Sequence, residues 1–68
     1  FGTGDIIQNT NPGCAHYGSK GIVIQIPSKG TVRYSVTNGD ATKAYRPGDI
    51  LTKTADQLKP LFEPSGME

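Results

Sequence analysis

The sequence is poor in the features that most directly indicate a function. Its 68 residues contain a single cysteine, Cys14, and no tryptophan. One cysteine cannot form an internal disulfide, which excludes the disulfide-stapled secreted mini-domains and favours a cytoplasmic protein. No apolar run approaches the roughly 20 residues that span a bilayer, and no basic start followed by an apolar segment indicates a signal peptide. We therefore expect no membrane partner.

Charge of either sign is scarce as well. Lysine and arginine number 7 against 6 aspartates and glutamates, which gives a formal net charge of +1 and a pI near 8.1. Basic nucleic-acid-binding domains usually have a pI above about 9, so charge by itself neither requires nor excludes such a partner. What the sequence does contain is 9 glycines and 5 prolines, a composition that favours short strands joined by turns over helices.

The most regular pattern lies between residues 18 and 37 and predicts a β-hairpin. Isoleucine recurs at every second position of 22–26, and valine or tyrosine does so within 31–37. Alternation at period two in β-branched and aromatic residues is typical of half-buried strands. The segment 27–30, Pro-Ser-Lys-Gly, separates the two runs and favours a short hairpin connection.

Turn and cap signals divide the rest of the chain. Asn38-Gly39 favours a type I′ turn, after which the chain should fold back on itself. Thr54 and Gln57 match a capping box, and Pro60 leaves room for a single helical turn after it. The other predicted elements are a strand at 4–8, a surface loop at 9–19, an extended segment at 40–45 that pairs with the third strand, a strand at 49–54 and a last strand at 61–62 beside the first.

These elements predict an all-β fold. Five short antiparallel strands that curl until the ends of the sheet meet leave no exposed edge and enclose one small core. We predict such a barrel at residues 4–62, with one short helical turn before the last strand, a disordered N-terminus at 1–3 and a flexible tail at 63–68. The predicted core consists of Ile6, Ile22, Ile24, Ile26, Val32, Tyr34, Val36, Leu51, Leu58 and Leu61.

Two motifs resemble those of SH3-like barrels, and of the KOW-type domains within that class. Residues 4–7, Gly-Asp-Ile-Ile, match an opening of one glycine, one polar and two apolar residues. Residues 18–23, Gly-Ser-Lys-Gly-Ile-Val, match the second element, with Ile26 after it. The resemblance covers residues 4–62. It implies a five-stranded SH3-like barrel and, for a KOW-type domain, binding to RNA or to proteins of transcription and translation.

A second family of SH3-like barrels, the plasmid-encoded dihydrofolate reductase, implies a different function. Members of that family are enzymes only as tetramers with a shared central pore, and this chain is similar to them in its Gly-rich opening and in the turn at Pro47-Gly48. Their Val-Gln-Ile-Tyr on the following strand is replaced here by Ile-Leu-Thr-Lys at 50–53. Because these residues differ, a pore-type oligomeric enzyme is only the third hypothesis for the function of this chain.

Catalytic chemistry has little support in the residues. Cys14 and His16 lie two apart in the predicted loop, and a thiol near an imidazole can form a nucleophile and base if the fold orients them. No third orienting group is evident, and structural zinc needs four ligands where the chain offers no second cysteine or histidine. Asp5, Asp40, Asp49 and Asp56 have the context of turn and cap residues. We predict a protein that is not an enzyme, with no catalytic residue, metal or cofactor.

Binding is the best-supported function from the sequence. Arg33 lies on the predicted third strand opposite the core face, and the other cations flank loops that contain aromatic side chains. Basic and aromatic groups together can contact phosphates and stack on bases, which favours RNA or DNA as the partner. The alternative is a structural or protein-interaction subunit of a larger assembly, including a homo-oligomer. The predicted binding residues are His16, Tyr17, Lys20, Lys29, Arg33, Lys43, Tyr45 and Arg46.

Overall fold

Among the described residues, all regular structure is β-sheet apart from one helical turn. The computed structural model describes residues 1–61. In chain order the elements are β1 at Ile6–Asn9, β2 at Lys20–Ser28, β3 at Thr31–Val36, β4 at Ile50–Thr54, a 3₁₀ turn at Ala55–Gln57 and β5 at Leu58–Pro60. The strands form one antiparallel sheet in the order β4-β3-β2-β1-β5. The all-β prediction, with five antiparallel strands and a helical turn before the last, is confirmed.

The central hairpin is confirmed, but the connection that follows it differs from the prediction. β3 pairs directly with β4, from Thr31 opposite Thr54 to Ser35 opposite Ile50. The residues between these strands, 37–49, form a loop that contains no strand, so the predicted pairing of 40–45 with the third strand is wrong. A sheet edge can accept only one neighbour, and here the more apolar segment at 50–54 takes that place.

Asn38 has a different role from the predicted turn residue. Its Oδ1 accepts the backbone N–H of Lys20 at 2.7 Å, and its Nδ2 donates to the carbonyl of Gly18 at 3.2 Å. Gly39 has a φ of 106°, a value that favours glycine. The side chain of Asn38 thus ties the 37–49 loop to the beginning of β2, which replaces the tight hairpin expected from Asn38-Gly39.

One small core lies on the inner face of the sheet, which we define as the side that carries the buried residues. The predictions for Val32, Tyr34, Val36 and Leu58 are confirmed, and Leu51 is half-buried against them. The core also contains residues that the alternation pattern did not select. Its buried members are Ile7, Val23, Val32, Tyr34, Val36, Tyr45 and Leu58.

Four isoleucines that were predicted to be core residues are exposed instead. The exposed fractions are 51% for Ile6, 41% for Ile22, 46% for Ile24 and 37% for Ile26. Leu61, also predicted in the core, is half-buried. The core prediction is therefore wrong for these residues, although the strands themselves lie where the sequence placed β2 and β3.

The pairing register explains the exposed isoleucines. Residues directly opposite each other in antiparallel strands share a face, and Val23 lies opposite the fully buried Tyr34. Ile22 is the neighbour of Val23 along β2, so its side chain is on the opposite, outer face. Ile6 lies opposite Ile22 and is therefore on the outer face as well. Because side chains alternate with a period of two, a shift of one position exchanges the inner and outer sets.

A β-bulge changes the phase of β2 after Val23. The register moves from Val23 opposite Tyr34 to Gln25 opposite Arg33, which leaves one extra residue on β2. Beyond the bulge, Ile26 lines an open cleft of about 260 Å³ together with Phe1, Val32 and Ala55. Ile26 is therefore beside the core at the rim of this cleft rather than inside it.

The 3₁₀ turn connects the two edge strands across the open side of the sheet. Ala55 donates its N–H to the Gly30 carbonyl at 2.8 Å, and the Gln57 carbonyl accepts the N–H of Thr10 at 2.8 Å. The capping box is not formed as predicted: the Gln57 amide donates to the Thr54 hydroxyl at 2.8 Å, and no side-chain cap bond is made. Within residues 1–61 no backbone pairing joins β4 to β5, so the sheet is open.

A buried polar pair fixes the largest core side chain. Tyr34 and Ser19 are both fully buried, and their hydroxyl oxygens lie 2.7 Å apart in a hydrogen bond. A buried hydroxyl without a partner would cost about 1–3 kcal/mol. This bond therefore holds the end of the 10–19 loop against β3.

Two predictions concern segments near the C-terminus of the chain. The predicted last strand at 61–62 and the predicted tail at 63–68 lie wholly or partly outside residues 1–61. In the described part of the chain, β5 occupies the predicted place beside β1. No helix among residues 1–61 has the length and apolar character needed to cross a membrane.

Candidate functional site

The 10–19 loop is organised by one buried amide side chain. Asn9 is fully buried, and its Oδ1 accepts the N–H of Asn11 at 2.9 Å. Its Nδ2 points towards the Cys14 thiol at 3.4 Å, and its backbone N–H donates to the Ser19 carbonyl at 2.8 Å. An asparagine that bonds to the backbone two residues on is a common turn device. The loop is therefore held at its base and folded over the sheet.

The fold brings a lysine to the cysteine and histidine of this loop. Lys53 lies opposite the buried Val32, so its side chain leaves β4 on the inner face. Its Nζ lies 2.9 Å from Nδ1 of His16. The Cys14 thiol accepts the backbone N–H of His16 at 3.4 Å. No local sequence pattern indicates Lys53, because it is 37 residues from His16 along the chain.

These contacts favour the thiolate form of Cys14. The backbone N–H of His16 lowers the pKa of the thiol below its usual value of 9.0, and the side chains of Lys53 and Asn9 lower it further, while burial acts in the opposite direction. Hydrogen bonds and positive charge stabilise the anion, which is the reactive form of cysteine.

We expect Cys14 to react faster with iodoacetamide in the folded protein at pH 7 than in the urea-unfolded protein, by several-fold. Lys53→Gln should remove part of this difference because it removes the nearby ammonium. Since the folded pKa is the lower one, the shift stabilises the fold above about pH 9 and this contribution is lost as the pH falls through the lowered pKa. Equal alkylation rates in the folded and unfolded protein would contradict this assignment.

The arrangement does not form a nucleophile and base pair. Cys14 contacts the backbone N–H of His16, whereas the ring nitrogen of His16 contacts Lys53. A base must reach the proton that it removes, and within residues 1–61 no hydrogen bond joins the thiol to the imidazole ring. The described part of the chain also contains no group of three or more His, Cys, Asp or Glu side chains that could hold a metal ion.

The predicted binding residues are distributed over three places. Most lie at the end of the sheet where the 10–19 and 37–49 loops meet, joined through Asn38. Lys29 lies at the opposite end, in the turn between β2 and β3, and Arg33 lies in the middle of the outer face. The residues in or next to these two loops, which we call the loop end, are Tyr17, Lys20, Lys43, Tyr45, Arg46 and His16, whose ring contacts Lys53 on the inner face.

Tyr45 is not available for stacking on a ligand. It is only 5% exposed and belongs to the core, so its prediction as a binding residue is wrong. The ring packs so close to Gly39 that a Cβ there would be 2.6 Å from Cδ1 of the ring. Tyr17 is 55% exposed and remains an aromatic side chain on the surface of the loop end.

Arg33 lies on the outer face, as predicted, but its guanidinium is already engaged. Nη1 donates to Oε1 of Gln25 at 2.6 Å, and Nε donates to the Thr52 hydroxyl at 3.4 Å. These three side chains occupy neighbouring strands at one level of the sheet. They form a polar row across β2, β3 and β4.

An apolar row lies next to it on the outer face. Ile6 lies opposite Ile22, Ile22 opposite Ser35, and Ser35 opposite Ile50. Leu61 extends this row, because its N–H donates to the Ile6 carbonyl at 2.7 Å and the register of β1 with β5 places the two residues opposite each other. We call Leu61, Ile6, Ile22, Ser35 and Ile50 the apolar row. Its three isoleucines are 41–52% exposed.

A cationic row borders the other side of the apolar row. Gln8 lies opposite Lys20 on β2 and opposite Lys59 on β5, and both lysines are exposed. Rows two residues apart along a strand are separated by about 7 Å. The apolar row is therefore the centre of the outer face. Lys20 and Lys59 lie on one side of it, and Arg33 of the polar row lies on the other.

Sequence reasoning missed the apolar row, although one signal for it was present. Residues 22–24, Ile-Val-Ile, and the pair Ile6-Ile7 are uninterrupted apolar runs. A strand that is apolar on both of its faces is typical of sheets covered on both sides. Alternation within these runs assigns the isoleucines to the core and gives no indication of a second apolar face.

The chain was also compared with known proteins. No protein-family model matches it, and no curated protein sequence matches it at a significant level.

Proposed function

We propose that this protein is a small non-catalytic binding module that docks onto another protein through the apolar row of its outer face. The placement of isoleucine carries this proposal: of the six isoleucines in the sequence, only Ile7 is buried. Fully burying such a side chain contributes about 1.5–3 kcal/mol, and the other five isoleucines, at 37–52% exposed, obtain only part of it. Contiguous exposed apolar surface on a small domain marks an interaction site.

The shape of the row also supports docking. Strands in a sheet are about 4.8 Å apart, so a row across five strands extends about 19 Å. The three isoleucine side chains of the row are β-branched and stiff, and they are held by the sheet. A partner that covers the row therefore immobilises few flexible groups, which keeps the entropic cost of binding low.

Nucleic-acid binding is the competing function, and it is supported by the loop end alone. Lys20, Lys43 and Arg46 are exposed there, together with the aromatic ring of Tyr17. The buried Tyr45 does not contribute a stacking surface to this end. Binding of RNA or DNA is therefore one of the outcomes that the binding experiment distinguishes.

The proposal can be tested by selecting binders from a phage-displayed library of random 16-residue peptides on the immobilised protein. Ile22→Thr and Ile50→Thr should each weaken binding of the selected peptides about tenfold, because each replaces apolar contact area with a hydroxyl. Ile26→Thr is the matched control: Ile26 is also exposed, but it lies at the cleft on the inner face. It should leave peptide binding unchanged.

Two results would contradict the proposal. One is that the selected peptides bind Ile22→Thr and Ile50→Thr as tightly as the original protein. The other is that the protein binds labelled RNA or DNA with an affinity that falls steeply with salt and is lost in Lys43→Ala but kept in Ile22→Thr. Thermal unfolding of each variant checks that the substitutions leave the fold intact.

The SH3-like barrel remains the fold that we propose for this module. The strand order and the 3₁₀ turn between the two edge strands support it. The other predicted roles, a homo-oligomeric assembly subunit and a pore-type enzyme, would require the outer face or another surface to contact a second copy. A molecular mass in solution that is a multiple of the chain mass would favour them.

A further inference from the structure

We infer that the partner of the outer face is a protein segment that presents aliphatic side chains bordered by carboxylates. This inference rests on the proposed function. It concerns the chemistry of the occupant, which the apolar row alone does not define. The charges around the row supply that information.

The strand positions of the outer face carry cations and no carboxylate. Lys20 and Lys59 are on one side of the apolar row, and Arg33 is on the other. All the described aspartates lie outside these positions. Among residues 1–61 the outer face is therefore cationic, while the four aspartates lie at other positions.

Three of the aspartates are committed to turns. Asp5 Oδ2 accepts the N–H of Gly2 at 2.8 Å, and Asp49 Oδ2 accepts the N–H of Arg46 at 3.0 Å. Asp40 Oδ1 accepts the N–H of Thr42 at 2.8 Å. Carboxylates that accept backbone bonds are fixed in place. These bonds favour the observed positions of the three carboxylates in the turns.

This charge pattern disfavours a second copy of the chain as the occupant. In a two-fold symmetric contact centred on the apolar row, the row of Lys20 and Lys59 would face either itself or the row of Arg33 in the other copy. Both arrangements place cations against cations, and like charges across an interface oppose association. Carboxylates on a partner would instead match both sides of the row.

Nucleic acid and anionic lipid are negatively charged, like the carboxylates of the inferred partner, but they match the apolar centre of the outer face less well. Phosphate contacts need cations along the path of the backbone, and the central positions are isoleucines. A protein segment can supply aliphatic groups to the centre and carboxylates to both sides. The observations therefore favour a protein of this composition over either alternative.

The same phage-displayed library tests this inference through the composition of the selected peptides. We expect them to be enriched in aliphatic residues together with Asp and Glu. A Lys20→Glu/Lys59→Glu double variant should bind them about five- to tenfold more weakly, since each charge contributes modestly at an exposed rim. Lys43→Glu, a cation in the 37–49 loop, is the matched control and should have little effect.

The outcomes separate this inference from the function on which it rests. Peptides that need Ile22 but contain no excess of Asp and Glu, or bind the double variant equally well, would overturn the inference and leave the proposed function standing. Peptides that are indifferent to Ile22→Thr would overturn the proposed function. A mass in solution of twice the chain that reverts to one in Ile22→Thr would identify a second copy as the occupant, and binding to anionic vesicles that is lost in Ile22→Thr would identify a membrane. Either result would overturn the inference.

Discussion

Gly21→Ala is expected to lower the free energy of unfolding by about 3 kcal/mol, the upper end of the usual range for overpacking. Gly21 is buried on β2 opposite Val36. A Cβ at this position would lie 2.6 Å from Cδ2 of Tyr34 and would overlap the backbone carbonyl of Ser35. A backbone atom cannot rotate away as a flexible side chain can, so β3 would have to shift. The substitution therefore disturbs the central strand pair.

The size of this effect should be visible in thermal and urea unfolding followed by circular dichroism. A domain of this length has a total stability of roughly 3–10 kcal/mol, so the loss is a large fraction of it. The midpoint of thermal unfolding should fall by about 12–24 °C. Gly2→Ala is the control, because a Cβ there has no atom within 4 Å. Equal effects of the two substitutions would contradict the close packing of Tyr34 on Gly21.

Ile7→Ala should destabilise the fold by about 3 kcal/mol, whereas Ile6→Ala should cost less than about 1 kcal/mol. Ile7 is 0% exposed and Ile6 is 51% exposed, although the two are neighbours on the same strand with the same side chain. The loss of β-propensity is similar at both positions. The difference between the two variants therefore measures burial alone.

Urea unfolding of both variants tests which face of the sheet is buried. If Ile6→Ala cost as much as Ile7→Ala, the outer face would be covered in the isolated protein and the core assignment of the isoleucines from the sequence would be right. A small effect of Ile6→Ala on stability, together with the loss of peptide binding in Ile22→Thr, would instead assign the apolar row to a partner.

Patterns among residues that are close together in sequence explain which parts of the fold could be predicted. Strand positions at β2 and β3 and the helical turn before β5 depend on residue types close together in sequence. The outcome for Asn38-Gly39 shows the limit of such signals. The same dipeptide that closes many hairpins here uses its asparagine side chain to bond to Lys20 and Gly18, residues that are distant in sequence.

The candidate site was less predictable than the fold. The outer position of Arg33 was predicted correctly from its alternation with the core residues of β3. The contact of Lys53 with His16 and the burial of Tyr45 depend on how the two long loops fold over the sheet. Sequence pattern carries no information on such contacts, because loops do not have the periodicity of strands.

The sequence by itself determined that this protein is a small all-β domain, because β-branched residues at period two and closely spaced turn residues favour short antiparallel strands. Only the tertiary structure decided which of the two sets of apolar residues is buried. In the uninterrupted run of Ile22, Val23 and Ile24, the residues on both faces of the strand are apolar. Periodicity therefore cannot predict which face is buried. The pairing of Val23 with Tyr34 makes that choice. It buries Val23 and Tyr34 and leaves Ile6, Ile22 and Ile50 on the surface that we propose for binding.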